Sequence, residues 1–146
     1  MIRKITINDK DQFLSMTRDF YSTDAVIAPI PESYHTGVFE ELMNGNLFLD
    51  AVILEKNGET AGYSLLNFSW SQEAGGKVVW VEELYVKPEF QGQGLGKVFF
   101  AYLQANYPAA RYRLEVEPEN ERAVGLYKKT GFEVLPYGQM ILDMMK

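Results

Sequence analysis

The fold is decided by the stretch VVWVEELYVKPEFQGQGLGKVFF, which spans residues 78–100. Its first half is rich in β-branched and aromatic residues and predicts a strand over residues 78–86, stopped by Pro88. Its second half is the glycine-rich run Gln91 to Gly96, which opens a helix. The buried face of that helix is predicted from apolar residues at helical spacing, namely Leu95, Val98, Phe99, Tyr102 and Leu103.

The glycine run between strand and helix favours an anion site for a pyrophosphate. Glycines let backbone N–H groups approach an anion, and a helix start adds free N–H groups and a positive dipole end. Two rival motifs fail. A Walker A loop needs Ser or Thr after Gly-Lys, but Val98 follows Gly96-Lys97. The Rossmann pattern needs its third glycine one residue later. A flexible turn remains the simple alternative.

Residues before this stretch predict a strand, two helices and a β-hairpin. Residues 2–7 alternate as a strand, and Asn8 or Asp9 could cap a helix with Phe13, Met16, Phe20 and Tyr21 on its apolar face. Residues 22–31 are predicted as a loop, and a second helix begins near Pro31 and ends at Gly45. Asn57-Gly58, between β-rich runs over residues 48–55 and 60–70, predicts the hairpin, and residues 71–77 connect it onward.

Residues after the glycine run predict three further strands and one helix. Residues 113–117 alternate as a strand, residues 120–130 form a short helix closed by Gly131, and two final strands occupy about 132–136 and 139–145. No repeat or interdomain linker interrupts the pattern. The chain is therefore expected to form one mixed α/β domain over residues 1–146, built around one sheet.

Composition and charge exclude several function classes. The formal net charge of -6 disfavours binding to a phosphate backbone, so we expect no nucleic-acid partner. There is no cysteine, and His35 is the only histidine, so no metal site is expected and His35 is assigned a surface or packing role. The N-terminus lacks the apolar core of a signal peptide, and no apolar run could cross a membrane, so the expected location is the cytoplasm.

Two spaced motifs resemble the signatures of the GNAT superfamily of acetyl-CoA-dependent N-acetyltransferases. The first is residues 81–86, Pro88 and Gln91-x-x-Gly94-x-Gly96. The second comprises Asn120, Ala123, Leu126-Tyr127 and Gly131-Phe132, at the family's distance from the first. The resemblance implies an α/β fold with a central, mostly antiparallel mixed sheet of about seven strands and about four helices.

The resemblance also implies the pose of the cofactor, acetyl-CoA. Its pyrophosphate is expected on the loop backbone, formed by Gln91, Gly92, Gln93, Gly94, Leu95, Gly96 and Lys97. Its pantetheine arm is expected to pair like an added strand beside Leu84, Tyr85 and Val86, in a gap between this strand and the next. Asn120 could form a hydrogen bond to the pantetheine arm, cap the predicted helix over residues 120–130, or do both.

A carboxylate on the strand before the loop is the predicted general base, because an ammonium group must lose a proton before it attacks a thioester. Glu82 is the leading candidate, because strict alternation puts it in an apolar row of the strand, where its pKa would be raised. The other members of that row are Val78, Trp80, Leu84 and Val86. Polyamine acetyltransferases of the superfamily carry a matching glutamate. Glu83 is the reserve, because a β-bulge would shift the alternation by one. The family motif makes Tyr127 the predicted acid that protonates the departing thiolate.

The acceptor is expected to be a small primary amine with cationic character. Aromatic residues and carboxylates suit such a cation, and those expected to line its pocket are Tyr21, Asp24, Tyr34, Trp70 and Glu82. The predicted activity is acetyl transfer by direct attack in a ternary complex. The alternatives are a non-catalytic acetyl-CoA-binding regulatory module and an enzyme that acetylates a protein or peptide. A homodimer is possible, with the methionine-rich last strand taking part.

Overall fold

The computed structural model describes residues 1–145 and, within that range, contains one sheet of five strands and four α-helices. The strands run in spatial order β1 to β5 and are antiparallel except for the parallel pair β4–β5. The elements in chain order are β1 (Ile2–Lys4), α1 (Lys10–Phe20), α2 (Glu32–Met43), β2 (Leu49–Lys56), β3 (Glu59–Ser71), β4 (Gly76–Val86), α3 (Leu95–Asn106), β5 (Arg111–Leu114) and α4 (Glu121–Lys129).

The predicted hairpin is confirmed as the pair β2–β3. Asn57 and Gly58 both have positive φ, at 53° and 79°, so the two-residue turn has the left-handed geometry that an Asn-Gly pair favours. The antiparallel register runs from Lys56–Glu59 at the turn to Leu49–Asn67 at the far end. This long hairpin forms the centre of the sheet and carries β4 on its outer edge.

The helices cover both faces of the sheet. Helices α1 and α2 pack on one face, where Phe13 and Phe39 meet the fully buried Ile53 and Tyr63. Helix α3 packs on the other face, where its buried side chains cover the inner residues of β2, β3 and β4. The observed mixed α/β architecture therefore has two apolar layers around one sheet, as the sequence pattern predicted.

A β-bulge in β4 determines which side chains face which layer. Leu65 of β3 pairs with Glu83, whereas Leu66 pairs with Val81, so Glu82 has no partner across the ladder. Val81 before the bulge and Leu84 after it therefore pack on the same, α3-facing side. The predicted unbroken alternation over residues 78–86 is wrong, because the extra residue shifts every side chain after it to the opposite face.

Four predicted strands differ from the structure. Strand β1 ends at Lys4 because Thr6 and Asp9 form a capping box that starts a 3₁₀ turn at residues 7–9. Strand β5 is shifted to residues 111–114 and stops where its pairing with β4 ends, opposite Val81. The two final strands are absent from the described residues: residues 132–145 form no ladder, and Met140, Ile141 and Leu142 are more than four-fifths exposed. Their apolar alternation is real, but a strand also needs a partner.

Candidate active site

The glycine loop presents a row of unpaired backbone N–H groups. Gly92 and Gly94 have φ values of 75° and 79°, which residues with a Cβ rarely adopt. The first backbone hydrogen bond of α3 runs from the Val98 N–H to the Gly94 carbonyl oxygen, with an N···O distance of 3.2 Å. Among the described residues, nothing accepts a hydrogen bond from the N–H groups of residues 92–97. Such a row of N–H groups at a helix start fits a pyrophosphate or another anion.

Two contacts with helix α4 complete the loop. A side chain at Gly96 would collide with Leu126, whose Cδ2 lies 2.8 Å from the position of a Cβ, so glycine permits the close approach of α3 and α4. Arg122 Nη2 lies 3.6 Å from the corresponding position at Gly92, which places a positive charge beside the loop. Gln91 anchors the loop to the end of β4 through a 3.0 Å bond from Nε2 to the Val86 carbonyl.

Strands β4 and β5 part beyond the bulge and leave a gap. Their last paired residues are Val81 and Leu114, whereas β4 continues to Val86. The backbone of Leu84, Tyr85 and Val86 therefore pairs with β3 on one side only. This free strand edge leads directly to the glycine loop, so an extended, amide-containing arm could pair along it and end with its phosphates on the loop.

A pocket of about 230 Å³ lies on the opposite side of β4, under helices α1 and α2. Two carboxylates, Glu82 and Glu83, stand on its strand wall. Aromatic and imidazole rings form the helix wall. They belong to Tyr21, which is the C-cap residue of α1, and to Tyr34 and His35 of α2. Its remaining lining residues are Thr17, Ile30, Val38, Leu49, Leu65 and Asn67, so neither lysine nor arginine is among the described residues that line it.

Glu83 is the more enclosed of the two carboxylates, with 6% of its surface exposed. Its Oε2 accepts a hydrogen bond from the Tyr21 hydroxyl at 2.6 Å, and its Oε1 accepts one from the Tyr63 hydroxyl at 2.7 Å. Burial raises the pKa of this carboxyl, while the two tyrosine bonds and nearby His35 act in the opposite direction. A raised pKa brings a carboxylate closer to the range of an efficient general base.

Glu82 is the bulged residue and is exposed on the edge of the same pocket. Asn67 Nδ2 donates to its Oε2 at 2.9 Å. Partial desolvation raises the pKa of Glu82, and the negative charges of Glu83 and Glu115 raise it further. The bulge thus places two neighbouring carboxylates in one pocket, whereas strict alternation would send them to opposite faces.

Tyr127 lies on the α3 side of the sheet and packs edge-on against Phe100 and Phe132, at centroid distances of 5.8 Å and 6.0 Å. Burial raises its pKa, so the hydroxyl keeps its proton at neutral pH. None of the described residues forms a hydrogen bond with this hydroxyl. A protonated and uncommitted phenol is suitable for donation to a thiolate, and this role stays a prediction.

The remaining predicted site residues are divided between two places. Asn120 Oδ1 caps α4 through the Ala123 N–H at 3.2 Å, and Asn120 also lines a second cavity of about 480 Å³ together with Asp24, Glu117 and Glu119. Asp24 is therefore separate from the pocket of Glu83. Trp70 lies at the far end of β3 opposite Lys77, is 76% exposed and does not line either cavity. The prediction that Trp70 contacts the acceptor finds no support in this placement.

Several residues that line the pocket or contact its lining carried no signal in the sequence. Tyr63 and Thr17 are spaced like ordinary core residues of a strand and a helix, and only the tertiary structure brings them to Glu83 and His35. His35 is 4% exposed and its Nδ1 lies 3.1 Å from Thr17 Oγ1, so it is a buried pocket residue and not a surface one. The burial of Asn67 Oδ1 without a hydrogen-bond partner is likewise a property of the fold.

Comparisons with known proteins agree with this geometry. The chain matches the family described as Acetyltransferase (GNAT) over residues 13–132. It is 37% identical over 95 residues to a thialysine N-epsilon-acetyltransferase of Bos taurus, covering 60% of this chain and 55% of that protein. It is 33% identical over 98 residues to a putative [ribosomal protein bS18]-alanine N-acetyltransferase of Bacillus subtilis (strain 168), covering 65% and 60%. These matches span somewhat more than half the length of either relative.

The fold is shared with a solved enzyme. The aminoglycoside N-acetyltransferase AAC(6')-Iy, solved in complex with CoA, superposes with a TM-score of 0.79 at 18% identity, covering 99% of this chain and 95% of the other. No helix within residues 1–145 combines the length and the apolar character needed to span a membrane. The family match covers both halves of the site, from α1 to Phe132. The chain belongs to the acetyltransferase (GNAT) family of acyltransferases, whose cosubstrate is acetyl-CoA.

Proposed function

We propose that this protein transfers the acetyl group of acetyl-CoA to the primary amine of a small cation held in the pocket beneath α1 and α2. The observation that carries the proposal is the pair Glu82 and Glu83, brought into one pocket by the bulge in β4. A buried carboxylate of raised pKa both attracts an ammonium group and can accept its proton.

The proposed reaction uses both sides of β4. The acceptor ammonium binds between the carboxylates and the ring of Tyr21, and Glu83 removes one proton from its nitrogen. The nitrogen lone pair then attacks the thioester carbon, a C–N bond forms, and the C–S bond breaks. Tyr127 is proposed to donate its proton to the departing thiolate, and the second proton of the acceptor nitrogen returns to Tyr127, so that the amide is neutral and the phenol is restored. In this assignment Glu83 takes the base role, and Glu82 holds the positive charge of the acceptor.

The charges of the pocket favour an acceptor that lacks a carboxylate near its reactive amine. Two glutamates are among the described lining residues, whereas lysine and arginine are not, so a negatively charged group would meet repulsion from the glutamates and no lysine or arginine as counter-ion. Di- or polyamines and aminoglycosides fit this charge pattern better than free amino acids. The thialysine and ribosomal-protein acetyltransferases among the relatives make an amino acid and a peptide N-terminus the two alternatives to compare.

A thiol-release assay with a panel of amines tests this proposal. The panel contains a diamine, a triamine, an aminoglycoside, lysine, thialysine and an alanine-terminated peptide, each with acetyl-CoA at a fixed concentration. We expect the highest kcat/KM for an acceptor without a carboxylate. Preference for thialysine or for the peptide would contradict the proposed acceptor class. Binding of acetyl-CoA without thiol release from any amine would instead favour a non-catalytic acetyl-CoA-binding role.

A further inference from the structure

The apolar segment at residues 139–145 takes no part in the reaction described above. Its sequence is QMILDMM, and five of its side chains are apolar and at least four-fifths exposed, namely Met140, Ile141, Leu142, Met144 and Met145. Soluble monomers rarely expose such a contiguous apolar stretch. In an extended strand these side chains would cover both faces, a pattern typical of a strand inside a sheet that is packed on both sides. The segment therefore has the composition of an inner strand.

The backbone carries this segment past its own sheet without turning back. Tyr137, just before it, is held near the start of β5, because its hydroxyl donates to Glu73 Oε2 at 2.7 Å and Glu73 Oε1 accepts from Arg111 at 3.1 Å. A two-residue hairpin turn at this point would need at least one positive φ, which neither Tyr137 nor Gly138 has. The backbone of residues 139–145 forms no hydrogen bond with any other described residue. The segment is therefore not the second arm of a hairpin in its own chain.

Strand β5 has a free edge that such a strand fits. It is the last strand in the order of the sheet and pairs with β4 on one side only, so its other side has no strand partner among the described residues. A free edge of unpaired N–H and C=O groups is a template for another strand. The charges are also complementary, since β5 carries Arg111 and Arg113 and the only charged residue of the apolar segment is Asp143.

We infer that residues 139–145 add as a strand to the free edge of β5 in a second copy of this chain, and that two copies exchange these segments in a twofold dimer. Eight large apolar side chains between residues 134 and 145 are exposed. At roughly 100 Å² of apolar surface each, they can bury about the 800 Å² per partner that is typical of a stable interface. Reciprocal exchange pairs the segment and the edge of both copies, so neither surface is left to recruit a third copy.

Sedimentation equilibrium of the full chain tests this inference. We expect the parent protein to be a dimer at micromolar concentration. Ile141→Pro removes a backbone N–H that the added strand needs, so it should raise the dimer dissociation constant at least about tenfold. Ile141→Val, which keeps the N–H and the β-branched side chain, should leave that constant close to the parent value. Because Ile141 is 81% exposed and pairs with nothing in its own sheet, both variants should keep the parent circular dichroism spectrum. A monomeric parent protein, assemblies larger than a dimer, or an equally stable dimer in Ile141→Pro would overturn the exchange.

Disulfide cross-linking distinguishes pairing between copies from pairing within one chain. The sequence contains no cysteine, so introduced cysteines are the only thiols present. One chain carries Arg113→Cys on β5, and a co-expressed second chain carries a single cysteine at each position from 139 to 145 in turn. We expect a disulfide-linked dimer of the two different chains at one or two of these positions, because neighbouring strands bring Cα atoms within disulfide reach. The absence of cross-links at all seven positions would overturn the exchange. So would an intrachain disulfide when both cysteines are placed in one chain.

Discussion

The two sides of β4 hold two sites of different construction. On the α3 side, the glycine loop presents main-chain N–H groups that are consecutive in sequence, from residue 92 to residue 97. On the α1 and α2 side, the pocket of Glu83 is built from side chains of two helices and three strands, and Tyr21 and Tyr63 donate hydrogen bonds to a glutamate 62 and 20 residues away. We therefore expect the proposed cofactor site to tolerate side-chain changes that the proposed acceptor pocket does not.

The largest expected effect tests the pocket. We expect Glu83→Gln to lower kcat by about 10²–10⁴-fold, because the amide cannot take a proton from the acceptor, while the KM for acetyl-CoA stays the same. Steady-state kinetics with a saturating amine measure this change. Glu82→Gln is the matched variant and should chiefly raise the KM of the acceptor. If Glu82→Gln removed kcat and Glu83→Gln did not, the assignment of the two roles would be reversed.

The next effect tests whether the cofactor side also contributes to the chemistry. We expect Tyr127→Phe to lower kcat by about 10²-fold without weakening acetyl-CoA binding, because only the proton donor is removed. Calorimetric titration with acetyl-CoA and the thiol-release assay measure the two quantities. Tyr102→Phe, which alters another tyrosine packed on the α3 side, is the control. If Tyr127→Phe left kcat unchanged, the α3 side of β4 would contribute only to acetyl-CoA binding and not to the chemical step.

A smaller effect tests the backbone construction of the loop. We expect Gly94→Val to weaken acetyl-CoA binding about tenfold, because φ near 79° is strained for a β-branched residue and the loop would change shape. Gly75 has a similar φ of 81° in the β3–β4 turn, so Gly75→Val introduces comparable strain away from the loop. Calorimetry should find acetyl-CoA affinity reduced only in Gly94→Val. Full affinity in that variant would contradict the proposed pyrophosphate cradle.

The smallest expected effect tests how Tyr21 influences the pKa of Glu83 in the pocket. The Tyr21 hydroxyl stabilises the ionised form of Glu83, so Tyr21→Phe should raise the pKa of Glu83 further. Because the base must be ionised, kcat falls as the pH drops through this pKa, and we expect that fall to begin at a higher pH in Tyr21→Phe. Tyr34→Phe lines the same pocket, forms no described bond to Glu83, and is the control. An unshifted profile in Tyr21→Phe would exclude Glu83 as the group that titrates.

The sequence alone determined the elements whose causes are local. The Asn57-Gly58 hairpin, the helix after the glycine run and the cap of Asn120 on α4 each depend on neighbouring residues, and each is present in the structure. The glycine loop belongs to the same class, because six consecutive N–H groups without a backbone acceptor need only glycines and a helix start. These features follow from φ preferences and capping, which act over a few residues.

Only the tertiary structure decided which residues form the proposed acceptor pocket and whether residues 132–145 form strands. The bulge at Glu82 arises from how β4 pairs with β3, and it determines that both glutamates share a pocket. His35 and Thr17 became pocket residues because α1 and α2 pack together over Tyr63. The apolar alternation of residues 132–145 predicted two strands, yet these residues form no strand in the structure. Pairing register and burial depend on contacts between distant segments, and a local pattern does not contain them.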